Sequence, residues 1–305
     1  MKIPVYPQFA PISLEFKDDL LPRLNLTVDG VSEFTFSNLY LFRHRYHYQV
    51  SHVPNTTVII SGELEGKRFF MTPCNVPERS VLEDLFAHHD YWKNISDSLM
   101  CHHCINLKEW GITIIEDRDN FDYLYLRTDL AELSGKKYHK KRNLVNAFIN
   151  SYSYEKRPLT RDLIPDALYV LEEWKKEKGV EGDYLAAREA LELFEDIGLR
   201  GAMYYVDNEP AGWCLGEPIA KGKMFAIHFE KGLEKYKGIY QFINQAFAQS
   251  LPKHILHINR EQDLGDEGLR QAKMTYRPCG FVRKYRGYFG VPAQSSNPSS
   301  PLSFE

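Results

Sequence analysis

Residues 257–288 read HINREQDLGDEGLRQAKMTYRPCGFVRKYRGY, and this stretch decides the fold. It reads as an apolar strand over His254–Asn259, a polar turn over Asn259–Asp263, a short basic helix over Glu267–Met274 and an alternating strand over Phe281–Tyr288. An apolar core has no use for so many Asn, Arg, Asp, Lys and Tyr residues at strand and helix ends. Mixed α/β folds place ligand contacts at such ends.

Upstream of it, Ile239, Phe242, Ile243, Ala246 and Phe247 give the strongest helical stripe of the chain. Before that come a strand at Lys223–Glu230 and a hairpin, Ala202–Val206 with Ala211–Gly216, turning at Asp207-Asn208-Glu209-Pro210. Two amphipathic helices precede the hairpin, Leu163–Lys176 and Tyr184–Ile197, the second stopped by Gly198. The second half thus runs helix, helix, three strands, helix, strand, helix, strand.

The first half follows the same order loosely. Residues 1–30, broken by Pro4, Pro7, Pro11 and Pro22, are expected to be irregular. Ser37 is placed to cap a helix over Asn38–Tyr46. Strands follow at Thr56–Ser61 and Lys67–Thr72 around the Gly62–Gly66 turn, then a helix at Ser80–His88 and strands at Gly111–Glu116 and Tyr123–Arg127. A basic helix is expected from Leu130 to Phe148. Two domains are drawn, 1–145 and 146–290, with the active site in the second and a disordered Pro/Ser-rich tail at 291–305.

The 305 residues are 43% hydrophobic and 26% charged, so a sizeable core can be buried. A net charge of −3 excludes whole-surface attraction to nucleic acid but allows a local basic patch. Five cysteines form no disulfide framework and read as reduced thiols of a cytoplasmic protein. No signal peptide and no transmembrane run is expected.

Three segments carry a family resemblance: 34–43 (FTFSNLYLFR), 133–143 (LSGKKYHKKRN), and the block from Asn259 to Tyr285 with Lys273 and Tyr276 ahead of Pro278. With the closing strand-helix-strand order, the chain resembles the C-terminal domain of phosphatidylglycerol lysyltransferases, within the GNAT and Fem-like aminoacyltransferases. The resemblance implies an α/β (α+β) fold of two fused GNAT-like domains with mixed central sheets. It also implies acyl transfer, from charged tRNA or from acyl-CoA, onto an amine or hydroxyl, with no permanently bound cofactor. The family's multi-helix membrane segment has no counterpart in the sequence. A small molecule, a peptide or a lipid is expected as acceptor, the lipid by peripheral membrane contact and less favoured for want of that segment.

Several candidate sites follow. In acyl-CoA enzymes a glycine-rich loop opens the central helix and holds pyrophosphate on its amides. Here that place reads Lys235-Tyr236-Lys237-Gly238-Ile239-Tyr240, with Tyr240 where a small residue is wanted. Lys136, Lys137, Lys140, Lys141 and Arg142 repel one another unless an anion faces them, and a tRNA backbone would do so. A solvated helix face is the plainer reading of that run. Asn259, Arg260 and Asp263 are donor-binding candidates, although a capping turn accounts for them equally. In the family's fold, Lys273 is placed to stabilise developing negative charge and Tyr276 to protonate a leaving group. Glu230, Glu217, His228 or an ordered water would serve as base, and Glu230 is taken as the catalytic carboxylate.

Cys101-His102-His103-Cys104 has one Cys-x-x-Cys spacing, but its adjacent histidines diverge, so no metal is expected. The rival to an enzyme is a catalytically silent binding module on the same fold.

Overall fold

The computed structural model describes residues 2–54, 57–179 and 182–290; the tail expected to be disordered, 291–305, and the expected strand start at Thr56 lie outside them. The chain forms two compact units. Among the described residues, one comprises those of 2–122, 262–266 and 281–290, the other those of 123–261 and 267–280. The division differs from the expected break at 145/146. Residues 123–145 supply the strand Asp122–Leu126 and two helices to the second unit, and the chain revisits the first unit at its end.

The first unit is built on a seven-stranded mixed sheet ordered Ala10–Pro11, Gln49–Val53, Thr57–Leu64, Lys67–Met71, Tyr91–Ser96, Lys284–Phe289, Ile112–Glu116. Lys67–Met71 and Tyr91–Ser96 pair in parallel, with the helix Arg79–His88 as the crossover between them. Leu82 and Leu85 of that helix, and Leu99, Met100 and Leu107 of the helix Asp97–Glu109, pack on Ile59, Phe70, Trp92 and Ile95 of the sheet.

The expected helix Asn38–Tyr46 is two short helices, Phe36–Leu41 and Arg43–Tyr46. Its cap is Thr35, not Ser37: the Thr35 hydroxyl accepts from the Asn38 amide at 3.1 Å. Residues 17–24 are helical despite Pro22, within the segment expected to be irregular.

The second unit has its own seven-stranded sheet, ordered Gly280–Val282, Asp122–Leu126, His257–Asn259, Met224–Gly232, Glu209–Ile219, Arg200–Val206, Tyr154–Pro158. The expected hairpin is present. Asp207 (φ 52°) and Asn208 (φ 66°) both occupy the left-handed region that a tight two-residue turn requires. Met224–Gly232 and His257–Asn259 are parallel, and the helix Ile239–Ser250 makes the crossover. Phe242, Ile243 and Phe247 of that helix are buried, and Phe242 stacks on Phe148 with centroids 4.4 Å apart.

Two expectations fail for local reasons. The basic helix drawn over 130–148 is broken. Leu133 takes a left-handed conformation (φ 50°) that ends the helix Arg127–Glu132, and Gly135 (φ 79°) follows. Lys136–Tyr138 is a 3-10 turn, and the next helix begins at His139. The single helical side expected for Lys136, Lys140 and Asn143, with Lys137 and Lys141 beside it, is therefore not formed. The closing strand is also divided: Gly280–Val282 pairs in the second sheet and Lys284–Phe289 in the first.

Candidate functional site

The parallel strand pair of the second unit positions the site. Glu230 stands near the end of Met224–Gly232, and Arg260 follows His257–Asn259 directly. Their side chains meet, with Arg260 Nη2 3.2 Å from Glu230 Oε1, and both are largely buried at 18% and 10% exposure. The second carboxylate oxygen, Glu230 Oε2, is buried with no hydrogen-bond partner among the described residues. A buried carboxylate oxygen left open in this way is suited to receive a donor from a bound molecule.

Tyr276 completes the group. Its ring is buried, and Arg260 lies 5.2 Å from its centroid. Its hydroxyl is hydrogen-bonded by the Gln241 and Arg260 side chains. Burial raises the phenol to about 12, against the pull of Arg260, so it keeps its proton at neutral pH. Lys141 reaches over the same ring from the helix His139–Ser151, with Nζ 4.1 Å from the centroid. Burial, then the Arg260 charge, holds the Lys141 ammonium below its ordinary value. Tyr125 packs edge-on against Tyr276 at 6.4 Å.

Lys273 belongs here in a different role from the one expected. Its ammonium donates to the carbonyls of Arg260 (2.5 Å) and Glu261 (3.0 Å). Asn259 is fully buried, and its side-chain oxygen accepts from the Glu261 amide at 2.7 Å. Glu261 itself is left-handed at φ 55°. Lys273 and Asn259 thus hold the turn that carries Arg260.

Asp263 is not part of this group. It lies in the first unit, where it accepts from the Gly265 amide at 2.9 Å and pairs with Arg118 at 3.4 Å.

His228 is unsuited to act as the base. It is buried between Glu261 (2.7 Å) and Glu217 (3.1 Å). Burial opposes its charge, but the two glutamates overcome this and lift its pKa to about 10. It is therefore an imidazolium at neutral pH, with no free lone pair.

The lysine run divides by role. Lys137 pairs with Asp129 at 2.7 Å, and Arg142 donates to the carbonyls of Leu133 and Gly135, tying down the turn before its helix. Lys136 and Lys140 are exposed. Gly238 (φ 92°) caps the helix Ile239–Ser250, and a Cβ there would lie 2.7 Å from the Leu144 carbonyl. The segments 140–144 and 235–238 therefore touch, and the exposed Lys140, Lys235 and Lys237 flank that contact. Amides around Gly238 are engaged within the protein: Lys237 N donates to the Tyr152 hydroxyl at 3.3 Å, and Ile239 N to the Tyr236 carbonyl at 3.1 Å.

Gln241 and Tyr125 were missed in the sequence. Gln241 is one polar residue beside an apolar helical stripe, and no spacing distinguishes it. Tyr125 lies in a strand whose partner, His257–Asn259, is distant in sequence.

The sequence pattern of the family described as "Phosphatidylglycerol lysyltransferase, C-terminal" matches residues 25–288. A conserved protein of unknown function from Bacteroides thetaiotaomicron is 32% identical, with TM-score 0.83 over 92% of this chain and 99% of that one. L-PGS from Bacillus licheniformis shares the fold at 13% identity, TM-score 0.56, over 94% of each chain. FemX does so at 8% identity, TM-score 0.53, over 92% of this chain and 97% of that one. The chain spans 58% of the length of a curated relative, an uncharacterized protein of Mycoplasmoides gallisepticum that is 26% identical over 190 residues. With its two mixed sheets, the fold is that of two GNAT-like domains.

Proposed function

Because the chain belongs to the phosphatidylglycerol lysyltransferase C-terminal family, we propose that its second unit transfers an aminoacyl group from charged tRNA to an amine or hydroxyl acceptor. The observation that carries this reading is the meeting of Glu230, Arg260, Tyr276 and Lys141, with Glu230 Oε2 open to a donor. Family membership supports an acyltransferase-type function; the donor, the acceptor and the residue roles are our reading.

In this reading the acceptor N–H or O–H is held on Glu230 Oε2, which takes its proton as the acceptor atom attacks the ester carbonyl of the donor. Arg260 and Lys141 face the negative charge that develops on the carbonyl oxygen. The C–O bond to the terminal ribose breaks. The departing ribose oxygen takes a proton from Tyr276, which recovers one from Glu230. The products are acylated acceptor and free tRNA, with no net change in protons.

The exposed Lys140, Lys235 and Lys237, around the contact of residues 140–144 with 235–238, give a polyanion a place to lie. Acyl-CoA is the weaker donor candidate, because amides where its pyrophosphate would sit are engaged by Tyr152 and Tyr236. Peripheral contact with a lipid acceptor remains compatible with the site. Among the described residues, no helix is long and apolar enough to cross a membrane.

The test is transfer of label from tRNA charged with single radioactive amino acids to a panel of amine and lipid acceptors. The expected result is turnover with one charged tRNA, and binding that weakens steeply with salt. Binding indifferent to salt and to charging, with turnover on acetyl-CoA instead, would reject the tRNA reading.

A further inference from the structure

The first unit contains buried polar groups that its own fold leaves unsatisfied. Glu33 is 3% exposed, and its Oε1 has no hydrogen-bond partner among the described residues. Tyr48 is 1% exposed, and its hydroxyl is likewise unpartnered. Lys93 is 3% exposed, and its ammonium faces aromatic rings. Each such group costs stability unless something supplies the missing contact.

These three converge. Lys93 Nζ stands 5.5 Å from the Tyr46 ring and 5.3 Å from the Phe69 ring. The Tyr48 ring packs on the same two, at 5.2 and 6.1 Å. Burial holds the Lys93 ammonium below its ordinary value, with Glu33 opposing the shift, and burial raises the Tyr48 phenol, with Glu33 adding to it. The neighbouring charges are already matched. Lys284 pairs with Glu33 Oε2 and Asp122, and Arg286 with Asp117 at 2.6 Å. That leaves Glu33 Oε1 as an open acceptor near the buried amine of Lys93.

The backbone at Lys93 is irregular as well. Its strand pairs Tyr285 with Ile95 but Gly287 with Trp92, so two residues, Lys93 and Asn94, stand opposite Arg286 alone. Asn94 takes a left-handed φ of 58° there. Bulges of this kind re-aim side chains and recur beside binding sites.

We propose that the first unit carries a second ligand site, bounded by Lys93, Glu33 and Tyr48, for a small oxyanion with an adjacent N–H or O–H donor. The carboxylate or phosphate meets Lys93 and the Tyr48 hydroxyl, while the donor meets Glu33 Oε1. The rings of Tyr46 and Phe69 exclude water around the contact. No chemistry is assigned to it; it is a binding site.

Thermal shift and calorimetry on the full chain, at fixed ionic strength, test this with inorganic phosphate, acetate, glycine and phosphoethanolamine. Saturable stabilisation is expected, larger for glycine than acetate or for phosphoethanolamine than phosphate; whichever pair responds identifies the oxyanion. Lys93→Met is expected to abolish the response and to raise Tm, because a buried amine is replaced by an apolar chain of similar shape. Tyr48→Phe, a milder change that serves as the folding control, is expected to weaken binding by about tenfold. The site is overturned if no probe acts beyond the ionic-strength control. It is overturned equally if Lys93→Met responds like the parent chain, or if a crystal soaked with the best probe holds only ordered water between Lys93 and Glu33.

Discussion

The ammonium of Lys141 lies 4.1 Å above the centre of the Tyr276 ring. The two come from a helix and from a turn more than a hundred residues apart in sequence. Arg260 approaches the same ring and bonds its hydroxyl, so two cations gather on one phenol. Both belong to the second unit, so this geometry does not depend on the arrangement of the units.

Replacing Lys141 by Met should lower kcat/KM for charged tRNA by about tenfold or more, with Lys141→Arg restoring part of the loss. Steady-state transfer assays measure this. An unchanged kcat/KM would reduce Lys141 to a packing contact.

Glu230→Gln preserves shape but removes the proton acceptor. Turnover should fall by roughly a hundredfold or more, with tRNA binding nearly intact. Single-turnover transfer and equilibrium binding, measured side by side, separate the two. Equal losses in both would point to a structural role.

Lys273→Met removes the ammonium donor from the Arg260 and Glu261 carbonyls, although the Glu261 carbonyl keeps the Tyr123 amide at 3.2 Å. Stability should drop by about 1–3 kcal/mol in urea unfolding, and transfer should fall because Arg260 loses its fixed aim. Lys273→Arg should recover part of both. Lost turnover at full stability would return Lys273 to direct catalysis.

His228 makes stability depend on pH. Its folded pKa is raised from 6.5 to about 10, so the charged form is favoured by folding. The stabilisation is complete below about 6.5, the value for an unfolded chain, and is lost as pH climbs toward the folded value. Tm should therefore fall across that alkaline window, and His228→Gln should flatten the fall. Parallel curves for the two proteins would remove the imidazolium from the account.

Gly238→Ala forces a side chain into a left-handed backbone and a Cβ to within 2.7 Å of the Leu144 carbonyl. Destabilisation of about 1–3 kcal/mol is expected from denaturant titration. A neutral result would mean that the helices separate readily at this point.

What the sequence revealed followed its range of interaction. The stripe Ile239–Phe247, the Asp207–Asn208 turn and the helix Glu267–Met274 rest on local periodicity and turn chemistry, and all three are present. The strand Tyr91–Ser96 was missed: Lys93 and Asn94 interrupt its apolar run, and every residue in it is buried. The break at Leu133 was missed because an αL leucine carries no compositional mark. Among site residues, the sequence picked out Arg260, Tyr276, Glu230 and Lys141 individually. It could not show that Lys273 is spent on backbone carbonyls, since that depends on the left-handed Glu261 turning them inward.

The strand Lys284–Phe289 lies inside the first sheet, between Tyr91–Ser96 and Ile112–Glu116, although it is the last strand among the described residues. Vectorial synthesis therefore cannot finish the leading unit first. Until the ribosome has released residue 289, the gap between two nascent strands stays open, and their unpaired edges are exposed to chaperones or to one another.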